Sequence, residues 1–167
     1  VRTIGPVSAQ RNAPLQGVER LRQQVIGGLA PLVDSTLANY AVLTTQPPSL
    51  DAYREFLAGE AAFYRDEASA VIHLSRAAAA DTNYLLPLLR LALLHQNRSD
   101  LAARDSVLAV LQSRQERLTP YEAAYLRYAS CDTRVSPDDC VDATATMVRL
   151  SPRSQNATYL HGIQLRW

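Results

Sequence analysis

Two apolar trios recur in this chain thirty-three residues apart: Ala70, Leu74 and Ala77, then Ala103, Val107 and Val110. Each has i, i+4, i+7 spacing on a strongly helical stretch, the spacing that lines up side chains on one helix face. Small residues in such a seam let a neighbouring helix approach closely. A seam repeated every thirty-odd residues predicts stacked helical hairpins, because one hairpin cannot bury its apolar face alone. The predicted class is therefore all-α, a stack of antiparallel helix pairs.

Composition supports this. Hydrophobic residues make up 47% of the 167, with six Gly and two Phe, a profile of an Ala- and Leu-rich helical protein. The length allows one or two domains with a sizeable core. A net charge of +1 gives no field that calls for nucleic acid or an anionic membrane. All 17 basic residues are Arg, scattered from Arg2 to Arg166 without clustering. No apolar run reaches the ~20 residues of a membrane span, so no direct membrane insertion is expected. Val1–Ile4 reads as the tail of a strand, and the chain reads as a fragment of a longer one.

Punctuation divides the chain into an N-terminal arm and helical segment, 1–47, and repeats over 48–167. In the first segment Val18, Leu21, Val25, Ile26 and Leu29 fall at helical spacing, and the helix should end near Gly27-Gly28 or Pro31. A short helix over Asp34–Leu43 is expected next, then a Pro-rich linker. The repeats are read as about 49–82, 84–115, 119–152 and a truncated 154–167. Ser49 caps the first helix and Asp66 or Arg65 opens its partner. The second pair is Tyr84–Gln96 and Ser99–Arg114. Thr119-Pro120-Tyr121-Glu122 is a capping box with Pro at the first helical position. Its helix should run to about Cys131, and the next from Pro137 to Leu150. Two registers compete there: Cys140, Thr144 and Met147, or Ala143, Met147 and Leu150. A further helix begins at Gln155, with no partner helix after it.

Residues with chemical potential are few. His73, His95 and His161 lie far apart without neighbouring ligands, so no metal or cofactor is expected. His73 is expected to face solvent, and His95 to sit in a helix-packing position. There is no G-x-S-x-G, no glycine-rich phosphate loop, no H-R-D and no D-F-G. The chain is therefore expected to be non-catalytic, with no catalytic residues. Cys131 and Cys140 bracket CDTRVSPDDC between two helices, a loop short enough to bring the Cα atoms within the ~4.4–6.8 Å of a disulfide. Such a bridge would place the domain in an oxidising compartment.

The stretch from Tyr53 to Asp81 carries Tyr53, Leu57, Gly59, Ala70, Leu74, Ala77 and Asp81, and Leu101–Glu122 ends in an RLTP-x-E run. These residues resemble the tetratricopeptide (TPR) region of bacterial serine/threonine protein kinases and related TPR regulatory proteins. Thr82 stands where that pattern has Pro. The resemblance implies a TPR-like right-handed superhelix of antiparallel helix hairpins, serving as a protein- or peptide-binding regulatory or sensor module, outside the cytoplasm and attached to a membrane-anchored kinase. The alternative is the TPR scaffold of a cytoplasmic transcriptional regulator or cyclase-like protein. It also implies a concave binding face built from the first helix of each pair. Here that face would use Arg54, Glu55, Leu89, Leu93, Gln96, Tyr125 and Tyr128. The helix over 84–96 is apolar nearly all round, which fits either core or an apolar groove.

Overall fold

The computed structural model describes residues 6–11, 13–33, 48–132 and 135–166. The expectations for Val1–Ile4 and for Asp34–Leu43, and nearly all of the Pro-rich linker, lie outside these. Every regular element among the described residues is helical. The chain forms two compact units, Val1–Pro87 and Leu88–Trp167.

The first unit begins with α1, Pro14–Val33. It runs past both expected stops, through Gly27-Gly28 and Pro31. Each Gly costs about 1 kcal/mol relative to Ala in a helix, and Pro31 has no amide hydrogen to donate; the helix ends two residues beyond it, at Val33. Helix α2, Leu50–Ala62, packs on α1 and, along its length, on α3, Glu67–Ala80. The starts follow from side chains. Ser49 accepts from the Ala52 amide at 3.3 Å, and Asp66 accepts from the Ser69 amide at 3.0 Å. Asp81 joins the ends of the pair, accepting from the Ser49 amide with one carboxylate oxygen and the Asn83 amide with the other, both at 3.0 Å.

The α2–α3 seam lies where the spacing placed it. Ala70, Leu74 and Ala77 are fully buried, against Ala52, Tyr53, Phe56 and Phe63. Gly59 is the point of closest approach. A Cβ there would lie 2.7 Å from Leu74 Cγ and 3.3 Å from the Leu74 amide nitrogen, so only glycine admits this crossing. Phe56 also meets Tyr84 edge-to-face at 5.4 Å.

Helix α4, Leu86–Asn97, continues into the second unit with Pro87 in its first turn. Burial of Tyr84, Leu85, Leu86, Leu89, Leu91, Leu93 and Leu94 shows this apolar segment to be core. Ser99 turns the chain with φ 59°, a left-handed conformation. Helix α5, Leu101–Gln112, therefore starts two residues later than the expected Ser99, capped by Asp100. A 3-10 turn, Gln115–Arg117, leads to α6, Pro120–Ser130, then α7, Pro137–Leu150, and α8, Gln155–Gln164. Helix α6 packs on α5 and on α7, and α7 on α8.

Two seams are settled by burial. In α5 the buried pair is Leu108 and Leu111, while Ala103 and Val107 are half-buried and Val110 is 39% exposed. The second trio read from the sequence is thus one position off the core. Both stripes are apolar, and a rotation of 100° separates neighbouring positions; the larger γ-branched pair takes the interior. In α7, Cys140, Thr144 and Met147 are fully buried together with Ala143, and Leu150 is 41% exposed. The first of the two competing registers prevails.

Candidate functional site

The densest polar group in the second unit is built on α4, α6 and α8. Arg90 is a single guanidinium in a leucine run, and it is 3% exposed. Its Nη1 donates to the Tyr125 hydroxyl at 3.1 Å and to Asn156 Oδ1 at 3.0 Å. Beside it, the Tyr121 hydroxyl lies 3.5 Å from Ser154 Oγ, which also caps α8 by accepting from the Ala157 amide. Burial pushes the Tyr121 phenol up to about 12, so it stays protonated through the neutral range. A guanidinium removed from water needs several such bonds to offset its desolvation. This cluster ties three helices together at one cation. No local signal announces it, because one Arg among leucines resembles a surface position on an amphipathic helix.

Glu122 is also buried, with its capping box complete. Thr119 Oγ1 accepts from the Glu122 amide at 3.1 Å, and Glu122 Oε2 accepts from the Thr119 amide at 2.9 Å. Burial raises its carboxyl above the ordinary value, opposed by the bonds from Thr119.

The histidines are placed singly. His73 is half-buried, not solvent-facing: its Nδ1 lies 2.7 Å from Glu55 Oε2, bridging α2 and α3. His95 sits 14% exposed, 3.5 Å from Asp100 Oδ2. Its Nδ1 is buried without a hydrogen bond. His161 Nδ1 lies 3.0 Å from Thr144 Oγ1. Among the described residues no group of three His, Cys, Asp or Glu is arranged to hold a metal.

Of the residues expected on a concave face, Leu89, Leu93 and Tyr125 are buried, at 0%, 4% and 0% exposure. Their side chains belong to the core and to the Arg90 cluster. Apolar side chains on the first helices are consumed by packing. Arg54 is exposed in the first unit, and Glu55 is engaged with His73. Gln96 and Tyr128 are half-exposed in the second. The first unit also has an open cleft of about 780 Å³, whose lining includes Glu19, Gln23, Gln24, Asp51 and Asp81.

Cys131 caps the end of α6 and Cys140 lies in the first turn of α7. The two are disulfide-bonded, with Cα atoms 5.7 Å apart. Among the described residues no helix is long and apolar enough to cross a membrane. No family model, curated protein or solved structure matches the chain.

Proposed function

We propose that this chain is a non-catalytic, TPR-like helical-repeat module that binds a protein or peptide and serves a regulatory or sensor role. The observation that carries the reading is the periodicity of burial. Leu74 and Ala77 of α3 are followed thirty-four residues on by Leu108 and Leu111 of α5, and thirty-six further on by Thr144 and Met147 of α7. A seam renewed at that interval is what a stack of helix pairs requires, and such stacks recognise extended ligands along their first helices.

The parent assembly is read as a membrane-anchored serine/threonine kinase, with this module outside the cytoplasm. The Cys131–Cys140 bridge favours that compartment over the cytoplasmic alternative, a scaffold of a transcriptional regulator or cyclase-like protein. Binding would use polar side chains of first helices, exposed Arg54 in one unit and half-exposed Gln96 and Tyr128 in the other.

A random peptide library displayed on phage and selected against the folded chain tests this. Enriched peptides should bind in the micromolar range, and Arg54→Ala, or separately Gln96→Ala with Tyr128→Ala, should weaken them at least tenfold. Arg149→Ala on α7 should leave binding unchanged. No enrichment, or enrichment blind to all three positions, defeats the reading. So would ATP turnover by the chain that one point substitution abolishes.

A further inference from the structure

The Cys131–Cys140 bridge presents its two sulfurs unequally. Cys140, in the first turn of α7, is fully buried, whereas Cys131, at the end of α6, is half-buried. An open cleft of about 480 Å³ lies beside the bridge. The described residues of its lining include Arg127, Asp132, Val135 and Asp139 beside Cys131, and not Cys140. Val135 is 77% exposed. Thiol–disulfide exchange depends on which sulfur a thiolate can reach. In the folded chain that sulfur is Cys131 Sγ.

Helices α6 and α7 are held together by more than the bridge. Ala143, Thr144 and Met147 of α7 are fully buried, α7 packs on α6, and Arg127 donates to Asp142 Oδ2 at 3.0 Å between them. Opening the bridge therefore leaves Cys140 beside Cys131. The Tyr128 carbonyl oxygen lies 3.1 Å from Cys131 Sγ, an acceptor already in place for the thiol that reduction would create. Charge around the site is uneven as well. From Arg127 to Asp142 the chain carries two arginines against four aspartates, which disfavours the approach of an anionic thiol compound.

We infer that Cys131 is a thiol–disulfide exchange site with Cys140 as its resolving partner, and that its reductant is a dithiol without net negative charge. The donor thiol gives its proton to water, and the thiolate attacks Cys131 Sγ. The new S–S bond forms there as the Cys131–Cys140 bond breaks, and Cys140 leaves with the electron pair and takes up a proton from water. The donor's second thiolate then attacks the donor sulfur of the mixed disulfide, and Cys131 leaves as a thiolate that is protonated in turn. The donor ends as a disulfide, and the bridge has gained two electrons and two protons. A donor with a single thiol is expelled instead when the Cys140 thiolate attacks Cys131 Sγ and re-forms the bridge, a step favoured by proximity. This chemistry does not depend on the peptide-binding reading, and no peptide enters its test.

The oxidised chain, treated with cysteamine in native buffer, quenched with acid and mapped by mass spectrometry, tests this. The adduct should sit on Cys131 in at least tenfold excess over Cys140. In denaturing urea, where both sulfurs are open, the excess should vanish. Below the unfolding transition the exchange rate should not follow the unfolded population as urea is added, because the folded chain is what reacts. Rates are then compared for cationic cysteamine and anionic 2-mercaptoethanesulfonate, each scaled to its rate on a small neutral disulfide. Cysteamine should be several-fold faster at low salt, and the difference should close at high salt. Asp139→Asn should narrow the difference without moving the adduct from Cys131. Adducts shared equally between the two cysteines in native buffer, or exchange that rises only in step with unfolding, would make the bridge a structural tie alone and overturn the inference. Faster exchange by the anionic thiol would overturn it too.

Discussion

Glu122 is held by two opposing demands. As the third residue of α6 it must accept from the Thr119 amide, and as a 3% exposed side chain it loses its hydration. Burial is the larger effect, so its carboxyl titrates above the ordinary value in the folded chain. The folded state then holds the proton more tightly than the unfolded one. That stabilisation is fully present below the ordinary carboxyl pKa, and it is lost as pH rises through the raised folded value. Glu122→Gln stays neutral throughout and still offers Oε1 to the Thr119 amide. Its thermal midpoint relative to the parent should therefore improve between pH 4 and pH 7. If the variant instead loses ground over that range, charge at the cap outweighs burial and the account of Glu122 fails.

At the scale of elements, seam and caps are separable. Ala77 is fully buried where α3 crosses α2, while Ala78 beside it is only partly covered. Ala77→Leu should overpack the pair and cost on the order of 1–3 kcal/mol. Ala78→Leu should cost much less, and equal unfolding midpoints for the two variants would show the register to be wrong. Caps were legible in the sequence because they are local chemistry: Ser49, Asp66 and the Thr119–Glu122 box each need only their own next three residues. The seam of α3 was legible because Ala70 and Ala77 leave no other stripe apolar enough to compete. In α5 the stripes Ala103–Val107–Val110 and Leu108–Leu111 are both apolar, and only packing decides between them. Arg90 was illegible for a related reason. Its partners Tyr125 and Asn156 are 35 and 66 residues away, and no local pattern announces a bond across that distance.

For the whole molecule, the covalent tie between α6 and α7 bears on both stability and place. Cys131 and Cys140 are nine residues apart, and the bridge ties the end of α6 to the first turn of α7, where Ser136 makes no side-chain cap. Closing a loop of this size removes unfolded-state freedom worth roughly 2–3 kcal/mol in the chain-entropy account. In a domain of this length, reductant should lower the thermal midpoint by about 5–10 °C. Unreduced protein digested for mass spectrometry should yield one linked pair of peptides containing Cys131 and Cys140. The loss should be reversible on reoxidation, because Cys140 is fully buried and stays beside its partner while the fold persists. Two thiols that alkylate freely in folded, air-oxidised protein would exclude the bridge. The extracytoplasmic placement would fall with it, and the cytoplasmic scaffold would become the better reading of the same helices.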